Sequence, residues 1–580
     1  GNKTTGMEAR SGSLATNTGT IYIKGSEIVG MRATGSGSRI DNQGTIIFSG
    51  STAGNTGQDN IFSLANGGSI LNQGTVMSDT ATTTMAFSRG VNLGANGRFI
   101  AAEMDGEMSI DGSALTTGSN QNEYVIKNAL TTGNLNNLKV YGTAWFNDVD
   151  VVKSDDDVVL PDIPLEEDGD DANNGNSAAQ LPADSDAEDS ASEGDDNSNG
   201  EGLGNTTGGL NPDDLNNYDV VARKGRLQSI LSADAGIQDR SVLDKIDNAY
   251  EAGRDSQIFD SLKYAQTDEA LAAAIKGELG LDLFANFTKQ NFDVIKSADR
   301  QINATLANNT DDKELRIMAG YDFFGRKQDA TAYMSDYDDQ AHSAFGLIDK
   351  KYNNNFRYGL GAMVTKYESD YKDDTASRDE VMIHLLAPLS MQFGKTKIIS
   401  VPRIGMGFGD YSRRTDSGTY EADTRNYYYG ITNEAQHTFD MGWFGLQPTL
   451  EFNVLGMYQD KIKEKRSALE IEATNNISIE TGIGLYAVKE IELGEKGKIN
   501  LRAGGTYYHE LGDPFKAQKA RLNDAGIRYR VNAYDADRDR AVLSLRMDYR
   551  YQQFNLYGEF SKFIEKDDGY AINAGLGYKF

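Results

Sequence analysis

Tyr570-Ala571-Ile572-Asn573-Ala574-Gly575-Leu576-Gly577-Tyr578-Lys579-Phe580 closes the chain with every second side chain one that hydrocarbon tolerates. Tyr570, Ile572, Ala574, Leu576, Tyr578 and Phe580 alternate with small or polar residues, the period-2 pattern of a strand with one oily face. In a soluble sheet that face would meet a core, and nothing would require the strand to stop on an aromatic carboxy-terminus. A membrane barrel points the apolar residues at lipid, the polar ones at the lumen and the aromatics at the interface. The stretch therefore predicts the closing strand of an outer-membrane barrel. An ordinary amphipathic strand is the alternative for this segment taken alone.

The bulk numbers are compatible with that reading. A chain of 580 residues suggests two to four domains. Its negative mean hydropathy argues against spanning helices, and no run approaches the roughly 18 apolar residues that such a helix needs. Barrel strands need only alternate apolar residues. Cysteine is absent, which excludes disulfides and thiolate metal sites and suits a chain that crosses an oxidising periplasm unfolded. No basic and apolar export signal opens the sequence at Gly1, so a mature form or a carboxy-terminal fragment is expected.

Residues 1–150 are rich in Gly, Ser, Thr and Asn, and one phrase recurs in them. It reads Thr16-Asn17-Thr18-Gly19-Thr20-Ile21, Asp41-Asn42-Gln43-Gly44-Thr45-Ile46 and Leu71-Asn72-Gln73-Gly74-Thr75-Val76. Repeats of this length mean stacked coils, each too small to bury its own apolar face. A right-handed parallel β-helix is expected, with Val140, Tyr141, Trp145 and Phe146 capping the stack and an irregular β-sandwich as the alternative. Residues 151–219 differ in kind. From 153 to 217 nineteen Asp and Glu face one Lys, so this run carries 18 of the 29 net negative charges. With four prolines and few apolar residues, a disordered, self-repelling linker is expected. Residues 220–282 read as a helical junction, with Ser241 and Thr267 as caps. Residues 283–310 form a longer helix whose Lys289, Asp293, Lys296, Asp299 and Arg300 are spread around it. A helix polar on most sides needs a wet or polar-walled home, which the lumen of a barrel provides; there Asp293, Lys296, Asp299 and Arg300 are expected to contact wall groups such as Arg502, Arg546 and Asp548.

From residue 314 to 580, segments of about ten alternating residues predict twelve strands, among them 397–410 and 425–439, joined by turns that are alternately short and long, the long ones being loops at 412–424, 460–475 and 513–539. Val381, Ile383, Leu385, Ala387, Leu389, Met391 and Phe393 share one face. Ala541, Leu543, Leu545, Met547 and Tyr549 do likewise, with Arg546, Asp548 and Arg550 opposite. Twenty-three of the 29 tyrosines lie from Tyr321 onward, as aromatic girdles require. Pro388 and Pro402 do not belong inside a closed ladder, and paired bulges are expected there.

This order of parts resembles the monomeric autotransporters of type V secretion, above all large fusobacterial members with Asn-x-Gly-Thr-Ile passenger repeats. Besides the repeats, the resemblance is carried by Ala270-Leu271, Gly277-Glu278-Leu279 and Leu283-Phe284-Ala285-Asn286, by the helix after them, by Leu446-Gln447-Pro448-Thr449-Leu450 with Glu464, and by Tyr578-Lys579-Phe580. It implies an outer-membrane barrel that translocates a passenger and anchors it at the cell surface, with a helix in the pore. It also implies assembly machinery that reads Tyr578 and Phe580. The expected partners are outer-membrane lipid, that machinery and a surface ligand of the passenger, with the protein a monomer. Asn308-Asn309 resembles the pair at which some members cut themselves, but Leu306-Ala307 and Thr310-Asp311 do not reproduce their motif. Helix termination is expected there, with self-cleavage the alternative.

Catalytic chemistry finds little support. The four histidines, His342, His384, His437 and His509, all lie in the barrel region, so residues 1–310 hold no Ser-His-Asp or Cys-His machinery. Glu103, Asp105, Glu107 and Asp111 offer carboxylates for glycoside chemistry, but a solvated acidic turn is the expected role. No cofactor or metal is expected, and the acidic balance opposes nucleic acid. The leading expectation is a translocating and anchoring barrel that displays an adhesive β-helical passenger, not an enzyme. The alternatives are a porin-like channel with a surface domain, and a surface hydrolase whose active site lies upstream of Gly1.

Overall fold

The computed structural model describes residues 3–24, 27–49, 61–80, 83–115, 121–161, 210–307, 314–331, 335–372, 375–494, 497–532, 537–566 and 568–580. The chain forms two compact units, the first from residues 1–114, 124–141 and 149–222, the second from 115–123, 142–148 and 223–580.

The first unit is a parallel β-helix with three strands to a coil. Lys3–Arg10, Glu27–Thr34 and Phe62–Ala65 stack as one parallel ladder. Leu14–Asn17, Arg39–Asn42, Ser69–Asn72 and Val91–Leu93 make a second. Thr20–Lys24, Thr45–Ser49, Thr75–Ser78 and the start of Arg98–Ile110 make the third. The repeated phrase sits at the corner between the second and third ladders. There Asn17, Asn42 and Asn72 are in register, and each amide nitrogen donates to the next amide oxygen at 2.8 Å. A ladder of buried, paired amides satisfies groups that would otherwise cost about 1–3 kcal/mol each. The glycine two residues on is fixed by close approach, since a Cβ at Gly44 or Gly74 would lie 2.0 Å from the carbonyl oxygen of the glycine one coil back. Ile23, Ile40, Ile46, Ile70, Val76 and Phe99 fill the interior.

Two expectations are corrected in this region. The expected acidic linker is structured at both ends: Asp148–Lys153 and Asn216–Arg223 are strands, and the second lies between the first and Glu123–Asn134 in one sheet. Val151, Val152, Val220, Val221 and Ala222 supply strand-forming positions that the charge count concealed. The middle of the run, 162–209, lies outside the described residues. The expected cap also divides. Val140 and Tyr141 pair with Met108 and Ser109, whereas Trp145 and Phe146 are buried in the second unit against Tyr250.

The second unit begins with short helices, chiefly Ser241–Glu251, Gln257–Tyr264 and Asp268–Leu279. Thr267 caps the last of these by accepting from the Ala270 N–H at 3.2 Å. Ser241 does not act as a cap. It is the first helical residue, and its own N–H and hydroxyl donate to Asp239 Oδ1. Gly280, at φ +62°, turns the chain into Leu281–Phe284. The pore helix proper is Phe287–Ala307.

Twelve antiparallel strands then close into a barrel: Leu315–Gln328, Tyr337–Lys351, Phe356–Tyr371, Ala376–Phe393, Thr396–Thr415, Gly418–His437, Gly445–Gln459, Thr474–Leu493, Gly497–Glu510, Asp539–Tyr551, Phe554–Ile564 and Asp568–Lys579. The last pairs with the first from Arg316↔Lys579 to Lys327↔Asp568, and the Phe580 N–H donates to the Leu315 carbonyl at 3.0 Å. Tyr570, Ile572 and Leu576 face outward while Ala571, Asn573 and Lys579 are buried inward. Leu360, Ile404, Leu450, Ile483 and Leu545 extend the same exposed apolar belt around the barrel. A belt of that extent has no place in water and is what lipid requires. Among the described residues no helix is long and apolar enough to cross a membrane.

The prolines are absorbed without the expected bulges. Leu386↔Arg403 and Leu389↔Ser400 keep one register across the gap, as do Leu386↔Gly361 and Leu389↔Tyr358 on the other side. Each proline still accepts through its carbonyl, Pro388 from Gly359 at 2.8 Å and Pro402 from Ala387 at 3.0 Å. Only the missing donations are lost. The tyrosine signal is corrected in part. Tyr321, Tyr427, Tyr507 and Tyr549 face outward, but Tyr367, Tyr428, Tyr486, Tyr508 and Tyr557 are buried on the lumen side. Tyr557 leans across Gly320 and Gly575, where a Cβ on either would lie 2.3 Å from its hydroxyl.

The connections at one end of the barrel are short, at 352–355, 394–395, 441–444 and 552–553. At the other end the expected long loop at 412–424 is instead a continued hairpin, because Thr396–Thr415 and Gly418–His437 stay paired to a tight turn at Asp416 and Ser417. The remaining long connections, 460–473 and 511–538, fold into a separate antiparallel sheet of Ile462–Lys463, Leu469–Ile471, Gln518–Leu522 and Ile527–Val531. Short turns are the periplasmic ones in barrels of this type, so this added sheet stands at the outer mouth.

Candidate functional site

The lumen is occupied by the pore helix, and polar contacts hold it along its whole length. All its residues except Arg300 are buried. Near its outer end Arg378 reaches in from the wall, donating to the Asn291 side-chain oxygen at 2.7 Å and to the Gln290 oxygen at 3.2 Å. Gln290 in turn donates to Ser369 at 3.0 Å. Asp293 accepts from Lys289 at 2.8 Å and pairs with Arg326, which also pairs with Asp339. Lys296 lies between Glu480 at 3.1 Å and Glu510 at 3.2 Å, and Arg540 holds Glu480 from the far side at 2.9 Å. One turn further, Asp299 pairs with Arg403, and Arg300 lies 3.9 Å from Glu559 and donates to Ser561 at 3.4 Å. At the inner end Lys397 donates to the carbonyls of Leu306 and Ala307. A cation at a helix carboxy-terminus meets the carbonyls that have no partner within the helix.

Asp293, Lys296, Asp299 and Arg300 thus all meet the wall, but not at the expected Arg502, Arg546 and Asp548. Arg502 donates instead to Gln447 at 3.0 Å, and Arg546 is bound to Asp548 at 2.9 Å. The actual partners Arg326, Arg403, Glu480, Glu510 and Glu559 occupy lumen positions of strands that the alternation had identified. The relative height of the strands decides which of them reaches the helix. Between the polar tiers lie apolar ones, with Phe292 and Ile295 packed against Phe324, Met457 and Phe563, and Ile302 and Leu306 packed against Met318, Phe345 and Ile399. Removing one member of a buried ion pair costs about 3–5 kcal/mol. Several such tiers make withdrawal of the helix a cooperative loss.

At the outer mouth the added sheet closes over the junction. Tyr529 donates to the Leu279 carbonyl at 2.6 Å, and burial raises its hydroxyl well above the ordinary range, so it remains a donor. Arg413 binds Glu464, whose carboxylate also accepts from Tyr411 at 2.9 Å, and reaches the Gly277 carbonyl. Glu278 accepts from Ser261 at 2.9 Å and from Ser417. Within the sheet, burial works to raise the Glu470 carboxyl. Lys461 at 2.8 Å and Arg521 more than offset that effect and hold it below its usual range.

The remaining candidates come together at no reactive centre. Glu107 is held by Arg89 and Tyr141, each at 3.0 Å, and Glu103 accepts from Thr84 at 3.0 Å. His342 contacts Tyr321, His437 contacts Thr396 and His509 contacts Asp539. His384 is buried beside Tyr428. Among the described residues no group of three His, Asp or Glu side chains is placed to hold a metal ion. Asn308 and Asn309 lie outside the described residues. Tyr578 packs its ring 4.7 Å from Phe580 and 4.9 Å from Phe554 at the periplasmic rim.

The family model for the autotransporter beta-domain matches residues 317–561. No curated protein sequence matches the chain. Among solved structures, the translocator domain of the autotransporter NalP from Neisseria meningitidis aligns at 15% identity and a TM-score of 0.43, over 51% of this chain and 99% of its own. The beta domain of the Bordetella autotransporter BrkA aligns at 16% and 0.37, over 46% and 100%. The transport unit of AIDA-I from Escherichia coli aligns at 11% and 0.29, over 49% and 98%. The assignment rests on the sequence match and on the barrel's own geometry: the carboxy-terminal barrel is an autotransporter β-domain, with the barrel in the outer membrane and the passenger at the cell surface.

Proposed function

We propose that the passenger held by this translocating barrel acts by adhesion, binding a ligand on another surface through its β-helix. The observation that supports this most is the seating of the pore helix. Charged tiers from Asp293 to Lys397 fix the end of the passenger in the wall, so the passenger stays with the cell that made it. A retained, stacked-coil rod with no histidine or cysteine in residues 1–310 suits binding better than turnover. The same seating disfavours a porin-like role, because apolar tiers around Phe292 and Ile302 fill the space between helix and wall.

Expression of the full chain, and of a form lacking residues 3–161, in a non-adherent Gram-negative host tests this. Attachment to host cells or to partner bacteria should follow the full chain at equal barrel levels. Equal attachment by both forms would remove the passenger from adhesion.

A further inference from the structure

The acidic run is an insertion whose ends return to one place. Leu160 before it and Leu210 after it both pack on the cluster of Ile47, Met77 and Ile100. The strand that resumes the chain, Asn216–Arg223, is hydrogen-bonded to the strand that precedes the run, Asp148–Lys153. The Ser154 N–H donates to the Asn217 carbonyl at 2.8 Å, the Thr131 hydroxyl to Asn217 Oδ1 at 2.7 Å, and Asn217 Nδ2 to the Asp157 carbonyl at 3.0 Å. The second unit is stitched in the same way. Trp145, from before the run, is fully buried against Tyr250 and Phe259, from after it. Gly225 donates to the Trp145 carbonyl at 2.8 Å, Ala144 to the Ala265 carbonyl at 2.8 Å, and Tyr250 to the Gln121 carbonyl at 2.9 Å. Each unit is therefore built from chain on both sides of the run, whereas a tether between independent domains would leave each domain on one side.

We propose that residues 3–161 are a non-covalently held partner of residues 210–580, so that a cut within 162–209 yields a two-piece surface protein and not a shed passenger. The occupant of the surface is this chain's own amino-terminal part. It is held by added-strand pairing at Asn216–Arg223, which supplies main-chain hydrogen bonds, and by an aromatic anchor, Trp145, in a desolvated pocket.

The test replaces residues 183–189 of the full chain with the recognition sequence of a site-specific protease. The protein folds uncut on the cell surface, and the protease is then added to intact cells. On protein that a denaturing gel shows to be cut, the amino-terminal fragment should stay with the washed cell pellet. Urea should then release it from cut cells but not from uncut ones. Appearance of the fragment in the first supernatant, without denaturant, would overturn the proposal. So would a fragment that urea cannot release from fully cut protein, since its retention would then owe nothing to this non-covalent surface.

Discussion

Single residues in the lumen decide whether the barrel is a closed anchor or an open pore. Asp299 and Arg300 lie one turn below Lys296 and meet Arg403 and Glu559 on the wall. Replacing both with Leu leaves Arg403 buried without its carboxylate, a loss of about 3–5 kcal/mol at one tier. The Asp299→Leu/Arg300→Leu protein should conduct ions in planar bilayers where the parent stays closed, and should lose its heat-resistant compact form at a lower temperature. An unchanged closed state would mean that the remaining tiers suffice. In the passenger, Asn42 is the middle of the amide ladder and serves Asn17 and Asn72 together. Asn42→Ala should cost about 1–3 kcal/mol, read as a lower urea midpoint for passenger unfolding with barrel heat-modifiability unchanged. At this scale the sequence was legible for the ladder, because the repeated phrase placed Asn17, Asn42 and Asn72 in one structural position. It was not legible for the lumen partners, since one strand's alternation tells which side chains face inward but not how high each strand stands beside its neighbour.

Elements were read well where a period was long, and poorly where tertiary pairing extended or interrupted it. All twelve barrel strands stand where the alternation places them, yet the hairpin Thr396–Thr415 and Gly418–His437 runs past its predicted ends. Beyond Asp410 its outward residues, such as Ser412, Arg414 and Glu421, are polar, so the apolar outward alternation that marks the rest of the barrel stops there. The added sheet at the outer mouth was read as loop for the same reason, because its strands are two to five residues long and pair across two separate connections. At the two ends of the acidic run the charge drew attention away from Val151, Val152, Val220 and Val221, which form strand. The closing strand carries its own prediction. Phe580 is half exposed, yet its N–H completes the seam with Leu315 and its ring meets that of Tyr578 edge to face. Deleting Phe580 should lower the amount of heat-modifiable barrel in the outer membrane several-fold without changing synthesis, a larger effect than its own contacts supply. Heat-modifiable barrel at the parental level would show that seam closure and assembly do not depend on it.

At the level of the whole molecule, function follows from which end of the barrel faces outward. Leu315 and Phe580 meet at the end with the short turns, while the opposite end carries the long hairpin, the added sheet and the junction that begins the pore helix. A surface passenger requires that second end to be extracellular, and all other conclusions depend on this. The chain has no cysteine, so single cysteines report their side of the membrane without background. Asp416→Cys and Lys519→Cys lie on exposed outer elements, and Asn354→Cys and Lys395→Cys on exposed short turns. With a membrane-impermeant maleimide on intact cells, the first pair should label fully and the second only after the outer membrane is permeabilised. Labelling of Asn354→Cys and Lys395→Cys on intact cells, with Asp416→Cys and Lys519→Cys protected, would place the passenger in the periplasm and contradict surface display.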